Sequence, residues 1–219
     1  MNEDSWFSCS DRRVWVIADG AGGHGNGTAA SRAVIAAIES LPLELNAAEV
    51  LAQIRLRLGA VHASLLAKGR ETAGGVTAST VVVLILRGRH FACLWAGDSR
   101  AYRLTGDTLE QLTRDHSLVQ SLIDDGTLSV AEADGHPDAN VITRAVGGGH
   151  EPLELDKVTG TLVERDRFLL CSDGVCKALS PLALRQLMRD GADAGQIVSA
   201  ALAHVVRDNA TAVTVDVGG

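Results

Sequence analysis

Aspartates recur in this sequence where apolar stretches run out. Ile17-Ala18-Asp19-Gly20, Trp95-Ala96-Gly97-Asp98-Ser99 and Cys171-Ser172-Asp173-Gly174 each carry a strand-like run into a carboxylate. Arg207-Asp208-Asn209 lies just before a last alternating stretch, and Glu3-Asp4 adds a carboxylate pair near the start. Singly, an Asp-Gly step is a common turn. Several strand ends can nevertheless converge on one sheet edge. Carboxylates gathered there repel one another and rise in pKa unless a cation neutralises them. Oxygen ligands without a His/Cys set suit hard ions, Mg2+ or Mn2+. Two such ions acidify water and offset charge on a phosphoryl group. The chemistry expected of the cluster is therefore in-line hydrolysis of a phosphate ester, with no covalent phosphoenzyme.

The segment Asp19-Gly20-Ala21-Gly22-Gly23-His24-Gly25-Asn26-Gly27 is the second chemical feature. Its glycines let the backbone approach a ligand and leave carbonyls free for a metal. No Gly-Lys-Ser/Thr follows, so a nucleotide-binding P-loop is unsupported. His24 is a candidate general acid for the leaving alkoxide, although an isolated histidine also serves turns and packing. A cysteine-based phosphatase fails on spacing. Its loop needs five residues between Cys and Arg, whereas six separate Cys93 from Arg100.

The elements that would position these groups read as follows. Val14–Ala18 is a buried strand ending in the glycine-rich turn. Ala30, Val34, Ala37, Ile38 and Leu41, then Val50, Ile54, Leu58, Val61 and Leu65, fall at helical spacing on either side of Pro42. Thr77–Leu86, His90–Ala96, Arg100–Thr105 and Thr108–Leu112 read as an antiparallel meander. Ser117–Asp125 looks helical, and Ser129-Val130-Ala131-Glu132 has the form of a capping box. Strands are expected around Thr161–Val163, over Phe168–Cys171 and over Thr211–Val217. A helix opening at Ser180-Pro181 and another carrying Ile197, Val198, Ala201, Leu202 and Val205 fall between the last two. Helices and strands come in blocks, which favours an α+β fold with antiparallel sheets in a single domain, 1–219.

Bulk properties agree. The chain has 219 residues, enough for one domain with a substantial core. Its 46% hydrophobic content includes only 3% aromatic residues, so the core is built from Ala, Val, Leu and Ile. A net charge of -7 disfavours nucleic acid and anionic membranes as partners. No apolar run approaches the ~20 residues of a membrane span, and Met1-Asn2-Glu3-Asp4 lacks the form of a secretory signal. Cys9, Cys93, Cys171 and Cys176 show no zinc or Cys-x-x-Cys spacing, which suits buried thiols in a reducing, cytoplasmic setting.

The ordered motifs resemble the metal-dependent PP2C-type (PPM) phosphatases. Asp19-Gly20-x-Gly22-Gly23-His24 is similar to the family's Asp-Gly-Met-Gly-Gly-His, with Ala21 in place of the usual methionine. Gly75-Val76-Thr77-Ala78 looks like its Gly-Thr-Thr-Ala, and Gly97-Asp98-Ser99-Arg100 matches its Gly-Asp-Ser-Arg. Thr113-Arg114-Asp115-His116-Ser117, His136-Pro137 through Asn140 to Gly147, Ser172-Asp173-Gly174 and Asp208-Asn209-x-Thr211 complete the order across nearly the whole chain. The resemblance implies an α-β-β-α sandwich of two antiparallel sheets flanked by helices, with metals in a cleft at one sheet edge. By analogy Asp19 bridges two ions, Mn2+ or Mg2+, one of them helped by the Gly20 carbonyl. Asp173 and Asp208 hold the other. Asp98 and Asp173 hold the third ion of bacterial members, while Glu3 and Asp4 support the site through water. Ser121 to Asn140 resembles the flap that borders the cleft.

The implied activity is hydrolysis of phosphoserine and phosphothreonine in proteins by a bacterial enzyme that opposes a Ser/Thr kinase; the sequence is silent on oligomeric state, with a monomer as the default. Phe91–Arg100 and Ala139–Gly147 resemble the type VI secretion-associated group, for which forkhead-associated proteins are the implied partners. Family members usually carry another strand before Asn-Glu-Asp, with a phosphate-binding arginine. Here Met1-Asn2-Glu3-Asp4 begins the sequence, so both are expected to be missing, with weaker substrate binding and an exposed sheet edge. The alternatives are a phosphatase-like phosphoprotein-binding module with little turnover, and a phosphohydrolase of small metabolites.

Overall fold

The computed structural model describes residues 2–22, 25–71, 76–133, 135–149, 152–204 and 208–218. Strands β1 (Asp4–Cys9) and β2 (Val14–Ala21) precede helices α1 (Asn26–Glu39) and α2 (Ala47–Glu71). Strands β3 (Ala78–Ser79), β4 (Val81–Arg87), β5 (His90–Ala96), β6 (Arg100–Thr105) and β7 (Thr108–Gln111) follow, then short helices α3 (Leu118–Asp124) and α4 (Val130–Ala133). The chain continues through β8 (Asp156–Thr161), β9 (Arg167–Cys171), α5 (Asp173–Ala178), α6 (Pro181–Arg189), α7 (Ala194–Leu202) and β10 (Ala212–Asp216).

Two antiparallel sheets result. One runs β1-β2-β4-β5-β8, with β3 paired to β2, and the other runs β10-β9-β6-β7. Strict alternation inside the buried strands explains how they stack. Val14, Val16 and Ala18 of β2, with Val81, Val83 and Ile85 of β4, face α1 and α2. Trp15, Ile17, Val82, Leu84 and Cys93 face Phe168, Leu170, Val213 and Val215 of the second sheet. Leu169 and Cys171 of β9 turn outward to Leu184, Met188 and Ile197 of α6 and α7. Three cores thus separate four layers, the expected α-β-β-α sandwich. Strands buried on both faces read as unbroken apolar runs. By length and composition α2 could cross a bilayer, contrary to the expectation that no such stretch exists. Its Val50, Ile54, Leu58 and Leu65 are nevertheless packed into the core with the first sheet.

Several local expectations need correction. The meander is split: β5 pairs with β4 and β8, while β6 pairs with β7 and β9 in the other sheet. Gly97, at φ +116°, turns the chain between the two layers. The strand expected at 161–163 lies upstream, as β8. Thr77–Leu86 is broken at Thr80 between β3 and β4. β1 was not foreseen, and it ends the first sheet among the described residues, with Trp6 60% exposed. Val205 of the last helix and Gly75 lie outside the described residues.

A buried ion pair ties the sheets together below the cleft. Asp166, 1% exposed, accepts hydrogen bonds from Thr105 Oγ1 (2.7 Å), Val163 N (2.8 Å) and Arg103 Nε (3.0 Å). The Arg103 guanidinium lies 5.1 Å from the Phe91 ring centroid. Replacing Asp166 by alanine strands that guanidinium, whose side chain is 14% exposed. The expected cost is about 3 kcal/mol of unfolding free energy. Urea denaturation measures it, and an unchanged midpoint would refute the pairing.

Candidate metal centre

Five carboxylates from five places in the sequence meet at one end of the sandwich. β1 and β2 place Asp4 directly across from Asp19. Asp98 follows β5, Asp173 begins α5, and Asp208 precedes β10. The Asp19 carboxyl is pushed up to about 10, first by burial and then by the charges of Asp4, Asp173, Asp98 and Asp208. Asp98, 5% exposed, is pushed up to about 6 by burial and then by Asp173. Burial likewise raises Asp4, against hydrogen bonds from Thr211 and Ser172. These shifts are what like charges do when crowded out of water.

The segments that carry these carboxylates are held by neighbours that motif spacing alone does not reveal. Thr80 Oγ1 accepts from the Asp19 amide (3.1 Å) and is 2.7 Å from Ser99 Oγ, so one side chain spans two aspartate loops. Ser172 Oγ donates to Asp4 Oδ2 (2.9 Å) and accepts from Thr211 N (3.0 Å). Glu3 N donates to Asn209 Oδ1 (2.8 Å), while Glu3 O accepts from Gly20 N (3.2 Å). The Thr113–Ser117 motif acts on Asp98 from behind. Asp115 pairs with Arg100 in a two-pronged bond, and His116 Nδ1 accepts from Gly97 N at 3.1 Å. Ser117 caps α3.

Asp173 departs from its expected setting, because it opens a helix instead of a turn. Ser172 is the N-cap residue, and α5 then presents Lys177 on the same face four residues on. Lys177 Nζ lies 2.5 Å from Asp173 Oδ2 and donates to Asn140 Oδ1 at 2.7 Å. Burial would lower the Lys177 pKa, but the charge and hydrogen bond of Asp173, then Asp98, raise it above its ordinary value. Neither Lys177 nor Thr80 was singled out from the sequence. Only a helix after Ser172 would have pointed to Lys177.

Close approach explains two of the glycines. A Cβ on Gly20 would meet Gly27 O at 2.0 Å, and one on Gly174 would meet Asn209 O at 2.0 Å. Gly174→Ala therefore has to force the 208–210 segment away from Asp173. An expected loss of about 3 kcal/mol follows, read by urea denaturation. Gly59→Ala in α2, where a Cβ meets nothing within 4 Å, is the control and is expected to stabilise by about 0.5 kcal/mol. Equal midpoints for the two variants would contradict this packing.

The donor set suits a hard cation. Asp4 Oδ1, Asp98 Oδ1 and Asp173 Oδ1 are buried and accept no hydrogen bond, and an orphaned buried carboxylate oxygen is costly unless something positive meets it. Among the described residues, no three Asp, Glu, His or Cys side chains are grouped tightly enough to enclose an ion unaided. Small divalent ions such as Mg2+ commonly take one or two carboxylates and complete their shell with water. Asp208 is exposed, with Oδ1 accepting from Asn209 N at 2.8 Å. Glu3 is half-buried over Gly27 of α1. His24, the candidate acid, lies outside the described residues, as does Gly23.

Comparison with known proteins points one way. The family model described as "Protein phosphatase 2C" matches residues 1–215. The serine/threonine protein phosphatase PstP of Mycobacterium tuberculosis is 33% identical over 225 residues, which cover 99% of this chain and 42% of PstP. This chain thus spans less than half the length of that relative. Among solved structures, PppA, a key regulatory component of T6SS in Pseudomonas aeruginosa, superposes with a TM-score of 0.88 at 36% identity. The match covers 98% of this chain and 90% of that one. The catalytic domain of PstP in complex with two manganese ions gives a TM-score of 0.86 at 29% identity, covering 100% of this chain and 93% of that one.

Proposed function

This chain belongs to the protein phosphatase 2C family, and from that membership we propose that it hydrolyses phosphoserine and phosphothreonine in proteins with the help of two divalent cations. The observation that carries the reading is the crowding of Asp4, Asp19, Asp98, Asp173 and Asp208, which with burial pushes the Asp19 carboxyl up to about 10. The manganese pair described for PstP supports Mn2+ or Mg2+ as the ions.

In this reading Asp19, the Gly20 carbonyl, Asp173 and Asp208 would hold the ions, and Asp4 and Glu3 would support them. When bound, such cations lower the pKa of water and stabilise charge on the phosphoryl oxygens. The chain's own residues supply the geometry. Thr80 fixes the Asp19 backbone, Ser172 orients Asp4, and the Arg100–Asp115–His116 group keeps the Asp98 turn in place. His24 is assigned the proton that the leaving serine or threonine oxygen requires. The likeness to PppA, a key regulatory component of T6SS, at 36% identity supports a regulatory phosphoprotein as the substrate, which we take to be a Ser/Thr kinase or a forkhead-associated protein.

The test is hydrolysis of p-nitrophenyl phosphate and of phosphoserine peptides by protein stripped with EDTA and reloaded. Turnover is expected only with Mn2+ or Mg2+ restored. Phosphopeptide binding without turnover in the reloaded protein would replace this reading with that of a binding module. A preference for phosphorylated metabolites over every peptide would move the substrate class.

A further inference from the structure

We propose that the Lys177 ammonium is a built-in cation at the Asp98–Asp173 pair, standing where bacterial relatives are implied to take a third divalent ion, so that this chain works with two ions. The inference rests on the metal-centre reading above and sharpens its stoichiometry.

Three observations carry it. First, α5 begins at Asp173, so Lys177 four residues on shares its helix face, and Nζ sits 2.5 Å from Asp173 Oδ2. Second, a hydrogen bond to Asn140 Oδ1 (2.7 Å) anchors the same ammonium from the segment between α4 and β8, so it is fixed from two sides. Third, Asp98 is 5% exposed, its Oδ1 accepts no hydrogen bond, and the Lys177 ammonium is near enough for the two charges to act on each other. Asp98 and Asp173 therefore already share a positive charge supplied by the chain. A divalent ion placed about 4 Å from that ammonium would be repelled even at the dielectric of water, costing at least about tenfold in affinity. It would also have to displace Lys177 from Asp173. By this account Lys177 is a positioning residue: it holds Asp173 and links the 135–149 segment to α5.

Metal analysis after equilibrium dialysis against Mn2+ tests this without reference to turnover. The wild-type chain is expected to hold two ions, and Asp98→Asn is expected to leave that count unchanged. Lys177→Asp, which puts a third carboxylate on the same face, is expected to hold three ions and to return to two when combined with Asp98→Asn. Lys177→Ala, which vacates the position without adding charge, is expected to take up a third ion more weakly and guards against a misfolded Asp variant. Three ions on the wild type, one of them lost with Asp98→Asn, would overturn the proposal. So would a count of two in both folded Lys177 variants. Fewer than two ions on the wild type would instead overturn the metal-centre reading, and the inference with it.

Discussion

Replacing Asp19 by asparagine is expected to abolish turnover, by on the order of a thousandfold or more, while making the metal-free protein harder to unfold. The two effects share one cause. Asp19 is the carboxylate on which the charges of Asp4, Asp98, Asp173 and Asp208 all act. Asparagine keeps its shape and has no proton to gain, so folding without metal no longer has to neutralise a carboxyl that is ionised in the unfolded chain, and the cation-binding charge is lost. The affinity for cations falls with it. Several kcal/mol of transition-state stabilisation leave with the ions, and each ~1.4 kcal/mol is a factor of ten in rate. Melting curves and turnover, measured on the same preparation, check the pair. A folded Asp19→Asn protein that still hydrolyses phosphopeptides at a wild-type rate would remove Asp19 from the centre.

Raising the pH is expected to weaken the metal-free protein and to leave the metal-loaded one far less affected. In the fold Asp19 titrates at about 10, against 3.8 for the free carboxyl, and Asp98 at about 6. Between those values the folded chain binds more protons than the unfolded one, so unfolding free energy falls as pH rises. The contribution of Asp19 is intact below its unfolded value and is lost progressively as pH climbs through about 10. The slope is bounded by about 1.4 kcal/mol per pH unit for each such proton. Cations reverse the preference, because they bind the ionised carboxylates and stabilise the fold by mass action. Urea midpoints from about pH 5 to about pH 9, with EDTA and with Mn2+, display the contrast. A metal-free midpoint that climbs with pH would mean that the carboxylates are not crowded.

Much of this was legible before any coordinates, for identifiable reasons. β2, β4 and β5 are buried on both faces, so they stand out as apolar runs, and β2 and β5 lead toward the cleft while β4 starts from it. Ser180-Pro181 announces α6 through its capping chemistry, which the structure shows as Ser180 Oγ accepting from Ala183 N. The carboxylates sit at strand ends, where turn residues make them conspicuous. What stayed hidden was either polar or non-local. β8 reads Asp-Lys-Val-Thr-Gly-Thr and borders the sheet, so little apolar periodicity marks it. β1 alternates weakly and includes an exposed Trp6. The assignment of β5 and β6 to different sheets depends on the turn at Gly97, where a Cβ would meet Thr80 at 2.6 Å. No spacing rule encodes that contact. Asp173-Gly174 looks like a turn in sequence, which concealed α5 and with it Lys177.

The bond from Glu3 N to Asn209 Oδ1 joins residues 206 apart, and the Asp4–Ser172–Thr211 chain spans as much of the sequence in two steps. During translation, then, β1 and β2 can pair early, but Glu3 and Asp4 emerge long before the residues near the other end of the chain that hold them. Until residues 208–211 have cleared the ribosome, the nascent polypeptide has no means of closing the cleft, and long-range closure of this kind is slow. An unfinished chain therefore lacks Asp208 and the bonds by which Asn209 and Thr211 hold Glu3 and Ser172.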